Sequence, residues 1–441
     1  MENQNLKLDD GSRIGVIGGG PAGSFFSIFV LDMARRMGID LHLDIYEPRD
    51  YTSPGPKGCN MCGGIISETL VQNLATEGIN LPPSVVQRGI DSYVMHMDVG
   101  SVRIDTPLQE KRIGAVHRGP GPRDVKKIKW ASFDGHLQSL AIGRGANIVK
   151  ERVSEIGRVD GKFQIKSRSG SPETYDLLAV ATGINTGAMR LFENLDLPFE
   201  PPSTTKTFIC EFFLGLDQIE QILGSSMHVF LLDLPRLEFA AIIPKGDYAS
   251  VCMLGDEIDK ELIESFMGSN EVKDRFPPQW NLKVFNCQCS PRIAMTSARQ
   301  PFDDRIVFIG DIGVTRLYKD GIGAAYRVAK AAATTVIFQG LSREDFKEHY
   351  WPTCRNIEID NSIGKIIFMV TELIQKSKIA RRAVLRMTAA EQKEDGPQMR
   401  MSTVLWDTFT GSAPYREIFL RTLHPVFLLR LFGNLARSLF G

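Results

Sequence analysis

The sequence predicts an α/β fold. A parallel sheet flanked by helices is interrupted by an antiparallel β-sheet module and followed by a helical C-terminal extension. Three observations lead there. A buried strand, a glycine-rich turn and a helix open the chain, and two more strand-and-turn segments follow near residues 181 and 310. Residues 190–290 are dominated by runs that read as strands, such as TFICEFFLG and MHVFLLDL. From Ser342 onward the text reads helical to the end, with breaks at Gly396-Pro397 and near residues 411–414.

The opening element carries the most information. Ser12–Ile17 reads as a buried strand, and Gly18, Gly20 and Gly23 stand in G-x-G-x-x-G spacing. A helical run follows from Pro21, and a second strand, 41–46, ends in Glu47. Gly18 makes the tight turn, Gly20 lets a pyrophosphate approach the backbone, and Gly23 lets helix and strand pack closely. Pro21 and Ala22 complete the turn, where the helix N-terminus offers N–H groups to phosphate oxygens. Glu47 is placed to accept hydrogen bonds from a ribose. The expectation is a Rossmann-like dinucleotide site.

Composition excludes several classes. The chain has 441 residues, enough for two or three domains. Apolar residues make up 43% and charged residues 24%, as in ordinary globular proteins. Lys+Arg and Asp+Glu both number 52, so no nucleic-acid partner is expected. The polar start, MENQNLKLDDGSR, holds no apolar leader core, and no apolar run is long enough to span a bilayer. The expected location is cytoplasmic, at most peripheral to the cytoplasmic face of a membrane. Seven cysteines in such a chain are expected to be free thiols, redox groups or ligands.

The dinucleotide-binding domain is expected in three segments, 1–84, 126–189 and 291–341. Residues 85–125 and 190–290 form the substrate domain, and 342–441 the helical region. After Glu47 a Pro- and Gly-rich loop holds Cys59-x-x-Cys62 and Gly63-Gly64, and 65–79 reads as an amphipathic helix. The loop HRGPGPRDVKK offers Arg118 or Arg123 as a phosphate or flavin contact; a solvated turn is the competing reading. Residues 130–149 read as a helix ending at Gly145 and feeding a strand. A small meander follows, then a buried strand ending in Ala181-Thr182-Gly183. Later, 305–309 is a strand that ends in Gly310-Asp311, and Gly321-x-Gly323 opens an Ala-rich helix.

Three motifs at strand ends, spread over some 300 residues, point to FAD rather than NAD. FAD lies extended, so its middle and ring need contacts far from the adenosine end. Asp311 is suited to accept a ribityl hydroxyl. The helix at Gly321 and Gly323 is suited to aim its positive end at the flavin's pyrimidine edge, with glycine letting the backbone approach.

The motifs GVIGGGPAGS (15–24), CGG (62–64), SFDGHL with GRGANI (132–148), ATG (181–183) and VFIGDIG…DGIGAA (307–325) resemble those of FAD-dependent oxidoreductases of the p-hydroxybenzoate hydroxylase type. Within that group the chain is most similar to the geranylgeranyl reductase family. The resemblance implies a glutathione reductase-like FAD domain and FAD-mediated reduction of isolated C=C bonds in prenyl chains. It also implies Cys62-Gly63-Gly64 beside the isoalloxazine and a separate electron donor, NAD(P)H or reduced ferredoxin. Its P-x-x-Y-x-W-x-F-P substrate strand corresponds to PRLEFAAIIP (235–244), where Ala241 stands at the Trp position and Phe239 near the Tyr. Gly310-Asp311-Ile312-Gly313 replaces Gly-Asp-Ala-Ala, and the W-x-W-x-I-P signature of tryptophan halogenases is missing.

The expected function is hydride transfer between flavin N5 and a hydrophobic, prenyl- or lipid-like small molecule. An FAD monooxygenase, and a membrane-associated electron-transfer protein delivering to quinone or a protein partner, are the alternatives. Cys59 and Cys62 are the catalytic candidates, as a single thiol near the ring or as a redox disulfide. With Cys287 and Cys289 they also match an iron–sulfur or zinc ligand set, or four small residues in a loop and a strand. Cys210, Cys252 and Cys354 are expected to be inert. In the C-terminal helix, Leu428, Leu431, Phe432, Leu435 and Leu439 form one face, with Arg430, Asn434 and Arg437 on the other. Upstream, Lys376, Lys378, Arg381, Arg382 and Arg386 form a basic cluster. Peripheral contact with anionic lipid and packing on the protein's own core are the two readings.

Overall fold

The computed structural model describes residues 6–53, 63–106, 112–122, 125, 130–278, 280–282, 285–393 and 400–439. At its centre is a six-stranded sheet in the order Phe302–Asp303, Ile306–Phe308, Leu177–Val180, Ser12–Ile17, Leu41–Tyr46, Asn147–Val149. All neighbours run parallel except the first pair, which is antiparallel. The register matters most. Ile17 pairs with both Val180 and Tyr46, and Val180 pairs with Phe308. The residues that follow these strands, Gly18, Ala181, Glu47 and Ile309-Gly310, therefore emerge side by side at the carboxyl ends. That is the crevice where open α/β sheets bind ligands.

Helices cover one face of this sheet. Pro21–Met37 packs on Gly321–Phe338, with Phe25 and Phe29 both edge-on to Tyr326 at 5.6 and 5.4 Å. Phe133–Ile142 adds Phe133, Leu137 and Ala141 to the same core. This helix is shorter than expected: Ser132 caps it by accepting from the Gly135 N–H, and it ends at Gly143. Likewise Ile65–Ile66 is a short strand, and the helix there is Glu68–Thr76, capped by Ser67. A three-stranded meander, residues 153–175, covers the other face with Phe163, Ile165 and Tyr175. At Gly15 a Cβ would touch Ile165 and Tyr175, at 2.9 and 3.0 Å, so glycine permits that approach.

The second sheet has seven strands in the order Cys287–Cys289, Phe208–Phe213, Tyr248–Gly255, Leu237–Lys245, Ser226–Phe230, Ser92–Met97, Gly100–Asp105. Past a bulge between Leu237 and Phe239, the two-residue period along Leu237–Lys245 divides the side chains from Phe239 to Ile243. Ala240 and Ile242 enter a core under the helices Leu216–Ile222 and Lys260–Gly268; Phe239, Ala241 and Ile243 face the opposite way. That opposite face is met by the helices Trp351–Lys376, Lys378–Glu391, Arg400–Thr410, Tyr415–Thr422 and Pro425–Leu439. Phe239 stacks on Phe368 (6.0 Å, 9°) and meets Phe409 at 5.5 Å.

Two expectations about the C-terminal region are corrected. The apolar face expected on Pro425–Leu439 is split. Leu428 and Leu431 pack toward the core beside buried Phe427, while Phe432 and Leu439 are exposed. The helix is apolar on both sides, so its own periodicity does not select the side that packs on Lys378–Glu391. Arg381, read as part of a basic cluster, is buried; it forms an ion pair with Asp98, its Nη2 donating to Oδ2 at 2.9 Å. No described helix is long and apolar enough to cross a membrane.

Candidate cofactor and substrate site

A single cavity of about 530 Å³ connects the crevice of the first sheet to the inner face of the second. At one end lie Gly18, Gly20, Pro21 and Ala22. Gly18 has φ +104° and sits so close to the neighbouring strand end that a Cβ would lie 2.5 Å from the Ala181 carbonyl oxygen. A Cβ on Gly23 would collide with the Gly18 carbonyl oxygen. No side chain caps the helix Pro21–Met37, and no acid stands in its first turn, so its N-terminus faces the cavity as an anion site.

Arg118 is brought to this turn. Its Nη2 would be 3.6 Å from a Cβ on Gly20. Asp134 holds it there with two hydrogen bonds: Nε donates to Oδ1 at 3.0 Å and Nη2 to Oδ2 at 2.8 Å. Asp134 is completely buried at the start of Phe133–Ile142. Its role was not apparent from the sequence. The available signal was an acid just inside a capped helix, in SFDGHL. Arg123, the other candidate, lies outside the described residues.

Glu47 lines the cavity and is buried. Its Oε2 accepts from the Gly19 N–H (3.0 Å) and the Tyr51 hydroxyl (3.2 Å), and its Oε1 from the Arg49 N–H (2.9 Å). A carboxylate has about four acceptor positions, so a ribose hydroxyl has one left. Ala181, Thr182 and Gly183 line the wall beside it.

Asp311 and Gly310 stand midway. Asp311 is open to the cavity yet surrounded by protein, and this burial raises its carboxyl pKa; Thr315 and Arg118 oppose the shift. The buried Thr315 hydroxyl lies near Asp311 without completing a well-formed hydrogen bond, which suits a polar ligand edge. Gly321 lines the cavity at the N-terminus of Gly321–Phe338, and a Cβ there would sit 3.5 Å from Thr315 Oγ1 and 3.8 Å from Asp311 Oδ1.

Gly323, expected with Gly321 to let the backbone approach the ring, is not among the residues lining the cavity. It faces the Asp320 carboxylate, which a Cβ would strike. Asp320 is the left-handed residue (φ +53°) that starts the helix, and its carboxylate accepts from Ser67 (2.8 Å), Arg327 (3.1 Å) and Arg316 (3.2 Å). Arg316 in turn donates to the carbonyls of Gly411 and Ala413, both at 2.8 Å. The neighbouring Lys319 donates to the carbonyls of Asp407 and Thr408. These polar contacts tie the C-terminal helices to the start of Gly321–Phe338.

Gly63 and Gly64 line the cavity where the two sheets meet. A Cβ on Gly64 would strike the Val116 carbonyl oxygen, and one on Gly63 would be 3.2 Å from Cys252 Sγ and 3.4 Å from Ile243 Cδ1. Cys252, expected to be inert, is thus part of the cavity wall. Cys59 and Cys62 lie outside the described residues. Cys287 and Cys289 sit on the edge strand paired with Phe208–Phe213 and are not among the residues lining the cavity. Among the described residues no group of three or more His, Cys, Asp or Glu side chains is arranged to hold a metal.

Where the second sheet lines the cavity the wall is mostly apolar, with Tyr318, Lys319 and Thr410 as polar neighbours. Its apolar residues there are Met227, Phe239, Ala241, Ile243, Leu254 and Phe409. Ala241, at the position where the resemblance expects Trp, leaves this end open.

No family model matches the chain, and no curated relative does. Solved structures share the fold. A flavoprotein/dehydrogenase from Cytophaga hutchinsonii is 14% identical, with a TM-score of 0.61 over 97% of this chain and 98% of that one. The flavin-dependent brominase Bmp2 is 15% identical, with a TM-score of 0.60 over 85% and 93%. A variant of the halogenase PltM, solved in complex with FAD, is 13% identical, with a TM-score of 0.58 over 97% and 91%. The chain therefore has the fold of FAD-dependent flavoproteins, with an inserted antiparallel sheet and a helical C-terminal region.

Proposed function

We propose that this protein is an FAD-dependent oxidoreductase acting on an apolar small molecule. The observation that carries this reading is the continuity of one cavity. A polar, glycine-lined half leads without a break into an apolar half on the second sheet. Bound FAD supplies hydride or single-electron transfer at its ring. The other roles fall to the chain's own groups. Gly18, Gly20 and the N-terminus of Pro21–Met37 hold the pyrophosphate, with Arg118 as its cation. Glu47 holds the ribose. Asp311 takes a hydroxyl from the cofactor's middle, and the N-terminus at Gly321 places positive potential beside the reacting end. Gly63 and Gly64 let the cofactor approach the wall formed by Ile243 and Cys252. Phe239, Ala241 and Phe409 exclude water and orient the substrate.

The resemblance to geranylgeranyl reductases supports hydride transfer to a prenyl- or lipid-like substrate, with NAD(P)H or a protein such as ferredoxin as donor. The test has two parts. Purified holoprotein is reduced without oxygen by NADPH and, separately, by reduced ferredoxin, and the flavin's visible absorbance is followed. Lipids from cells with and without the protein are then compared. Reduction by one donor, together with altered prenyl or quinone saturation, is expected. Unchanged saturation contradicts the substrate class, and hydroxylated products would identify a monooxygenase instead.

A further inference from the structure

The C-terminal helices carry more exposed apolar surface than their packing uses. Pro425–Leu439 buries Phe427 and rests Leu428 and Leu431 on the core. On the opposite side Leu429 is 73% and Phe432 63% exposed. At 100° per residue, Val426, Leu429 and Phe432 fall on one stripe about 120° wide. The preceding helix, Tyr415–Thr422, adds Leu420, 64% exposed. Trp351–Lys376, against which that helix packs through Gly364 and Tyr415, shows a second stripe: Ile359, Ile366, Met369, Val370 and Leu373. These spacings return to one side of the helix, away from buried Phe368.

Charge distinguishes the partner. The chain as a whole is neutral, yet residues 351–441 hold 13 Lys and Arg, of which Arg381 is buried against Asp98, and 8 Asp and Glu. Residues 415–441 hold four arginines and one acid, Glu417. A second copy of this surface would meet its own like charge. An anionic lipid surface satisfies both features, because apolar side chains enter the acyl boundary while arginines reach the headgroups.

We propose that this face seats the protein on an anionic lipid membrane. The cavity gives the docking a purpose. Phe368, on the inner side of Trp351–Lys376, stacks on Phe239 of the cavity wall, while Met369, Val370 and Leu373 face outward from the same helix. One helix thickness, about 10 Å, separates the apolar end of the cavity from the docking surface. A substrate dissolved in the bilayer needs to travel no farther. This purpose rests on the apolar-substrate reading, whereas the docking itself does not.

The experiment is vesicle flotation of the full-length, FAD-loaded protein. Neutral phosphatidylcholine vesicles are compared with vesicles containing phosphatidylserine or phosphatidylglycerol. The wild type is expected to float with the anionic vesicles, and the floated fraction to fall with added salt. Leu429→Glu with Phe432→Glu, and Met369→Glu with Leu373→Glu, are each expected to cut partition about tenfold or more. Retained flavin absorbance shows that these variants fold, and the wild-type comparison stands without them. No flotation, or equal flotation with neutral and anionic vesicles, overturns the proposal. So does a wild-type dimer in solution that the Leu429→Glu, Phe432→Glu variant dissociates. Flotation reads docking alone, so its failure is separate from failure of flavin reduction or of the lipid comparison.

Discussion

Arg118 and Asp134 form a two-pronged ion pair beside Gly20, with donor–acceptor distances of 3.0 and 2.8 Å. The carboxylate is wholly buried, whereas the guanidinium reaches the cavity. The pair fixes a cation where the cofactor's pyrophosphate is expected, and this yields a quantitative prediction. Arg118→Ala should weaken FAD binding about 10- to 100-fold, the value of one charge-assisted contact. Asp134→Asn should weaken it less. In the double variant the two effects should fall short of their sum, because Asp134 acts through Arg118. Flavin titration of the apoproteins measures all three.

Asp320 is the joint between Gly321–Phe338 and the C-terminal helices. Asp320→Ala would leave buried Arg316 with only the more distant Asp360 carboxylate, at 3.7 Å. A loss of about 1–3 kcal/mol is expected, the cost of a buried charged donor losing its nearer acceptor. Gly323→Ala should destabilise through the same contact, by about 1–3 kcal/mol, because its Cβ displaces that carboxylate. Thermal unfolding measures both; an unchanged midpoint for Gly323→Ala would place Asp320 elsewhere.

This joint also shows what the sequence could and could not reveal. The glycine turn, Glu47, the Ala181-Thr182-Gly183 turn and Asp311 were legible because each motif is local and each strand announces its own end. Their convergence follows from parallel register alone. Gly323 belongs to a similar-looking pair, yet its neighbour is Asp320, and only the fold shows that. Asp134 acts on the cavity through Arg118 and Cys252 lines it, both through long-range pairing that no local spacing encodes. Pro425–Leu439 is apolar on two sides, so the side that packs was set by Lys378–Glu391 rather than by its own pattern.

His96 and His228 are stacked in the second sheet, with His96 Nε2 and His228 Nδ1 2.9 Å apart. Burial holds both pKa values down, His96 to about 4; His96 depresses His228 further, and Arg275 contributes to both. Their folded-state values lie below the ordinary histidine value near 6.5, so the unfolded chain binds the extra protons. The stability they confer is present above pH 6.5 and lost as pH falls toward 4. The slope approaches about 1.4 kcal/mol per pH unit for each histidine. Thermal midpoints at pH 5 and pH 7 should therefore differ less in a His96→Gln, His228→Gln variant than in the wild type.

Ala241 keeps the apolar end of the cavity open. Ala241→Trp should leave FAD binding intact, because the polar contacts proposed for the cofactor lie at the first sheet. It should lower conversion of the apolar substrate about tenfold or more by displacing it from the ring. Flavin content and lipid saturation, measured on the same cells, separate these effects. Loss of both would mean that the two halves of the cavity are not independent.

The central claim is that the four strand ends at Gly18, Glu47, Ala181 and Gly310 form one FAD site, and equilibrium titration of the apoprotein with FAD tests it most directly. The account predicts uptake of FAD at about one per chain, weakened by Arg118→Ala. Failure to take up FAD, or preferential binding of a nicotinamide dinucleotide at the same glycine turn, would contradict it.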